Sequence, residues 1–101
     1  MVKHIILWNL DEKYSETEKK HIKSNIKRHL EGLYGKIPGL CEIKVVTDGL
    51  LPTSNAELML DSTFENAEAL EKYAVHPLHV AAADTYVRPF TVKRSCLDFE
   101  V

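Results

Sequence analysis

The apolar positions of the chain follow two periods. From Val2 to Leu10 the run Ile5-Ile6-Leu7-Trp8 puts apolar side chains on both sides of an extended strand, with Val2, His4, Ile6, Trp8 and Leu10 on one side and Lys3, Ile5, Leu7 and Asn9 on the other. The period then changes. Ile22, Ile26, Leu30 and Leu33 recur at intervals of four, four and three, which is one stripe of a helix, and Lys, Arg and Glu fill its solvated side, together with His21 and His29, both expected at the surface. Ser15-Glu16-Thr17-Glu18 is a capping box and starts this helix; Gly35 is placed to end it, and Pro38-Gly39 to turn the chain. Alternation returns over Leu40–Thr47, with Cys41, Ile43, Val45 and Thr47 on one face, and again over Ala56–Thr63. The stretch from Asp48 to Asn55 is rich in turn residues and makes these two strands a long hairpin.

Asn66 is a suitable N-cap for a second helix with an apolar stripe of Ala67, Leu70, Tyr73 and Ala74. Pro77 disfavours helical geometry at His76 and suits the first position of a new helix. The pattern therefore predicts a helix ending near Val75, a kink at His76-Pro77 and a short helix from about Leu78 to Val87. Thr91–Val101 closes the chain as a strand with Leu97, Phe99 and Val101 on one face and Val92, Arg94, Cys96, Asp98 and Glu100 on the other.

Strand, helix, strand, strand, helix, strand over residues 1–101 is the ferredoxin-like βαββαβ order of a single α+β domain. It predicts a four-stranded antiparallel sheet with both helices on one face. Two helices cover one side of a sheet only, yet the first strand is apolar on both. A second copy of the chain, its sheet packed on this one, resolves the mismatch and predicts a homodimer.

Composition narrows the field further. Thirteen basic and fifteen acidic residues leave a formal charge of −2, without the basic footprint of a nucleic-acid binder. No apolar run reaches the length of a membrane span, and the opening segment is too short for a signal peptide, so no membrane partner and a cytoplasmic location are expected. Cys41 and Cys96 lie far apart within strands, where they are expected as reduced, buried, slowly reacting thiols.

Residues with chemistry to offer gather in Tyr73–Phe90, around the His-Pro-Leu-His segment at 76–79. In the plainest account this is a capped corner with each histidine bonded to nearby backbone. The ordered set Val2-Lys3-His4-Ile5-Ile6-Leu7-Trp8, Ile37-Pro38-Gly39-Leu40, Tyr73-Ala74-Val75-His76-Pro77-Leu78-His79-Val80 and Asp98-Phe99-Glu100 resembles the stress-responsive α/β barrel (Dabb) family over nearly the whole chain. The resemblance implies a ferredoxin-like protomer and a homodimer whose two sheets form an α+β barrel. Members of that family include plant stress-associated proteins and a plant polyketide cyclase.

Residue by residue, the cyclase member implies His79 as general base, Tyr73 as hydrogen-bond donor to a developing oxyanion and His4 as a pocket residue. Where the cyclase carries a histidine on the third strand and a tyrosine on the first helix, this chain has Leu58 and Ile26, which implies a smaller, more apolar pocket. His4, Leu58, Ile26 and His76 are the expected binding residues, for a small apolar or keto ligand. No cofactor and no metal are expected: His76 and His79 are three apart, but the proline between them alters their geometry and a third ligand such as Asp84 would be needed. Three readings follow from the sequence: a homodimeric barrel protein without catalysis of its own, protective under stress; a cofactor-free enzyme of the cyclase, lyase or isomerase kind; and a small-ligand binding protein. An open cavity at His79 separates the last two from the first.

Overall fold

The computed structural model describes all 101 residues. Its elements are β1 (Val2–Leu10), α1 (Glu16–Glu31), β2 (Leu40–Val46), β3 (Leu58–Phe64), α2 (Ala67–Val75), α3 (Pro77–Ala82), a π-helical turn over Ala83–Val87, and β4 (Thr91–Glu100). The four strands form one antiparallel sheet in the order β2-β3-β1-β4, the ferredoxin-like arrangement. No helix is long and apolar enough to cross a membrane.

Local chemistry accounts for the helix starts. The Ser15 hydroxyl accepts from the Glu18 backbone N–H at 3.2 Å, and the Glu18 carboxylate accepts from the Ser15 N–H at 2.9 Å, completing the capping box. Asn66 caps α2 through Ala69 N–H at 2.8 Å. α1 stops at Glu31, before the expected Gly35: Gly32 closes the helix, and Leu33 still reaches the core from the turn that follows. Gly39, with φ +81°, lies so close to α2 that a Cβ there would meet the Ala69 Cβ at 2.5 Å, so both its backbone and its small size are required.

The core lies between the helices and the inner face of the sheet. Ile6, Trp8 and Leu10 of β1, Val45 of β2 and Leu58, Leu60 and Phe64 of β3 meet Ile22, Ile26 and Leu30 of α1 and Ala69 and Tyr73 of α2. The buried stripe of α2 is thus Ala69 and Tyr73, with Leu70 partly covered; Ala67 and Ala74, expected on it, are exposed.

Two bulges move side chains from the faces that plain alternation assigns. Cys41 is an extra residue between the pairs Leu40–Phe64 and Glu42–Thr63, so it is half-buried and turned toward Met1, not part of the core. On β4 the pairing with β1 shifts between Leu7–Ser95 and Asn9–Val92, and Lys93 takes up the extra residue with φ 53°. Val92 consequently shares the outer face with Asn9, while Thr91 and Arg94 both face the helices. Cys96 also faces the helix side, opposite Ile6, but no helix covers β4 there and the thiol is exposed, contrary to its expected burial.

The outer face of the sheet has no cover. Register places Ile5 beside Leu97, Lys3 beside Phe99 and Leu7 beside Met59, and Leu97, Phe99 and Leu7 are 62%, 41% and 39% exposed. An apolar band of this kind on a sheet needs a partner surface.

Candidate functional site

The break between α2 and α3 sets up the site. His76 leaves helical geometry with ψ 131°, Pro77 starts α3, and the His76 Nδ1 accepts from Leu78 N–H at 3.1 Å as the N-cap of the new helix. His76 therefore spends its ring on the corner and does not line the cavity, contrary to its expected binding role. One turn later the His79 ring packs on Tyr73, their centroids 4.0 Å apart and the planes inclined by 30°. Tyr73 is also against Phe64 at 4.9 Å, and His4 is 6.2 Å from it in an edge-on arrangement.

The Tyr73, His79 and His4 rings form one wall of a cavity of about 200 Å³, lined further by Ile6, Trp8, Leu70 and Val87, with Arg88 and Arg94 among its polar lining. No carboxylate lines it. A more open groove of about 540 Å³ adjoins it along β4 and shares His4, Leu70, Ala74 and Arg94 with it. Tyr73, His79 and His4 thus meet on one cavity, whereas Leu58 and Ile26, at 2% and 0% exposure, are core residues away from its walls. Their apolar character fills the interior instead of shaping a pocket.

The polar atoms of the cavity are unevenly satisfied. His79 Nδ1 lies 3.3 Å from the Ala74 carbonyl oxygen, a contact that places the ring proton on Nδ1 and leaves Nε2 as an acceptor. Burial lowers the His79 pKa below its ordinary 6.5, the Arg88 and His4 charges act in the same direction, and the bond to Ala74 opposes them. The Tyr73 hydroxyl is buried without a hydrogen-bond partner, and burial pushes its pKa up, so it stays protonated. Arg88 is engaged with Asp84 across one turn; Arg94 has no ion-pair partner.

His29 departs from its expected place at the surface. It stacks on Tyr86 with centroids 3.5 Å apart and planes 5° from parallel, its Nε2 is buried without a partner, and desolvation followed by the neighbouring Arg28 charge lowers its pKa from 6.5. Two histidines are therefore held neutral in the fold and take up protons more readily when the chain unfolds. Their contribution to stability is full above about pH 6.5 and is lost as the pH falls through their folded-state values. Melting temperature is expected to drop between about pH 7.5 and about pH 5.5, and His29→Gln is expected to flatten part of that slope in a thermal scan.

The expected histidine pair gives no metal cluster: His76 caps a helix and Asp84 binds Arg88. A different set comes together. His4 Nδ1, Cys96 Sγ and Asp98 Oδ1 lie within 4.8 Å of one another on the inner side of β1 and β4. Sequence alternation alone put Cys96 and Asp98 on one face; that His4 stands opposite Asp98 requires the register between strands over 90 residues apart.

Residues 2–101 match the family model of the stress responsive A/B barrel domain. A dimeric protein of unknown function with a ferredoxin-like fold from Bacteroides fragilis superposes with a TM-score of 0.90 at 32% identity, over 99% of this chain and 95% of that one. A Dabb family protein from Mesorhizobium loti gives 0.74 at 20% identity, over 99% and 95%. Hydroxynitrile lyase from Passiflora edulis gives 0.71 at 20% identity, over 97% and 90%; at this identity the likeness shows the fold alone. No curated protein sequence matches the chain.

Proposed function

The chain belongs to the stress-responsive A/B barrel domain family, and from that premise we propose that it is a homodimeric enzyme performing acid–base chemistry on a small carbonyl compound, with His79 as base and Tyr73 as oxyanion donor. One observation carries this reading: the Tyr73 hydroxyl is buried without a partner beside the His79 ring on a cavity wall. A purely structural corner would satisfy that hydroxyl, because an orphaned buried polar group costs about 1–3 kcal/mol. A substrate oxygen supplies the missing acceptor.

The chemistry follows from the protonation states. Neutral His79 removes a proton from a carbon flanked by carbonyl groups through Nε2, and the electron pair of the C–H bond passes to the carbonyl oxygen as an enolate. Tyr73 donates to that oxygen, and the positive charge of Arg94 in the lining favours the developing negative charge. The enolate carbon can then attack a second carbonyl of the same molecule or take a proton back from the His79 imidazolium, which are the cyclase and isomerase outcomes. A cavity of about 200 Å³ is below the roughly 300–1,000 Å³ of pockets for drug-sized ligands. The reacting portion is accordingly small, and a longer acyl tail has the adjoining groove to run in.

The partner in the homodimer is a second copy packed on the outer face of the sheet. Support comes from the apolar band there and from structural neighbours described as dimeric.

Solvent-deuterium exchange at the acidic carbon of small 1,3-dicarbonyl compounds tests the reading by NMR. Saturable, catalysed exchange is expected; a series of such compounds showing only the buffer rate overturns it. Tyr73→Phe adds a sharper signature, since it removes an orphaned hydroxyl without changing the ring. That variant is expected to be slower in exchange while keeping the fold; an exchange rate equal to that of the wild type would mean that the hydroxyl takes no part.

A further inference from the structure

We propose that His4, Cys96 and Asp98 form a binding site for a divalent first-row metal ion of the zinc type. This site adjoins the His79–Tyr73 pair but uses neither residue, so it stands independently of the proposed reaction.

The placement arises from the sheet. Cys96 and Asp98 are two apart on β4 and project from the same inner face, and β1 pairs His4 with Asp98 and Ile6 with Cys96. One imidazole, one thiol and one carboxylate thus stand on two adjacent strands, whose hydrogen-bonded ladder holds their Cα positions. The donor set of nitrogen, sulfur and oxygen is the one that zinc accepts, and three protein ligands with a fourth position open is the arrangement of its catalytic sites.

Distances support this. Tetrahedral zinc bonded to sulfur, nitrogen and oxygen puts its ligand atoms about 3.4–3.6 Å apart. Cys96 Sγ is 3.8 Å from His4 Nδ1 and 3.6 Å from Asp98 Oδ1. The remaining edge is closed by a direct His4–Asp98 hydrogen bond. Opening it requires only a rotation of the Asp98 carboxylate, whose side chain is 45% exposed, while His4 stays fixed in the interior. The Ser62 hydroxyl donates to the His4 carbonyl at 2.8 Å and braces the backbone that carries the imidazole. On metal binding His4 ligates through unprotonated Nδ1 with its proton on Nε2, and the Cys96 thiol releases its proton to solvent.

Access is available. The cluster lines the groove of about 540 Å³ beside α2, on the opposite side of β4 from Leu97, so a partner packed on the outer face at Leu97 leaves it open. The free coordination position therefore faces the groove, where a water molecule or a ligand oxygen can complete the sphere.

Cobalt(II) chloride titrated into the reduced full-length chain provides the test. The expected result is one ion per chain, with the near-ultraviolet band of thiolate-to-cobalt charge transfer and visible bands of low coordination number, all displaced by zinc. Cys96→Ser is expected to abolish the charge-transfer band and Asp98→Asn to weaken affinity roughly tenfold or more. Both residues are on the exposed edge strand, so neither change threatens the core. Cys41→Ser and His79→Ala are expected to leave the spectrum intact, the latter separating this site from the proposed reaction. No charge-transfer band at millimolar cobalt, or a band that survives Cys96→Ser and vanishes with Cys41→Ser, overturns the proposal.

Discussion

Replacing His79 by Ala is expected to slow dicarbonyl exchange by about 10²–10⁴-fold, the usual contribution of a positioned general base. The size rests on three features acting together. Burial and nearby positive charge keep the imidazole neutral at pH 7, the Ala74 carbonyl orients the ring, and Nε2 is left as the acceptor. His79→Gln should restore the polar contact to Ala74 without restoring the rate, because an amide cannot take the proton at this pH. The wild-type rate should fall on the acid side below the ordinary histidine pKa of 6.5, since protonation removes the base. His21→Ala, an exposed change on α1, serves as the control. A rate for His79→Ala within a few-fold of wild type would exclude His79 as the base and leave the cavity as a binding pocket.

Leu97→Lys is expected to convert the homodimer to monomer, raising the dissociation constant by roughly 100-fold or more. An unpaired ammonium placed in an apolar contact costs about 3 kcal/mol or more. Leu97 is 62% exposed in the isolated protomer and pairs with Ile5 at the centre of the outer band, so the change touches association and leaves the protomer core alone. Light scattering reads it directly: the wild type should weigh twice the protomer mass of 11.5 kDa and the variant once. Val75→Lys, on α2 at 75% exposure, should leave the dimer intact. A wild type that runs as a monomer at micromolar concentration would mean that the outer face is covered by something else.

Much of the architecture was legible because it depends on local periods. The alternation in Val2–Leu10 predicted its inner and outer faces, the capping box located the start of α1, and Pro77 located the break before α3. The two strand faces that were misassigned trace to single extra residues, Cys41 and Lys93. A bulge is a disagreement between two strands, and one strand's pattern contains no sign of it. The π-helical turn at Ala83–Val87 is hidden for a similar reason, since none of its residues distinguishes a π-helical turn from an α-helical one.

At the site, Tyr73, His79 and His4 were identifiable from the family pattern, and the fold does gather them. Leu58 and Ile26 do not reach the cavity because a match of position does not fix how deep a side chain lies; both are sealed within the core. His76 looked as available as His79, but being the residue before Pro77 makes it a cap. Cys96 departs from the burial usual for a strand cysteine, and nothing local reveals that β4 extends past the helices.

The bulge at Lys93 sets the phase of everything after it. With that residue present, Leu97 and Phe99 point outward and Cys96 and Asp98 inward. Drawing Lys93 into the ladder, with no residue lost and the pairing with Leu10 kept, would transpose the two sets: the adhesive residues would turn toward the cavity, and the histidine would lose both neighbours. Assembly and chemistry on β4 therefore share a single register, and a one-residue slip of that register cannot alter one without rewriting the other.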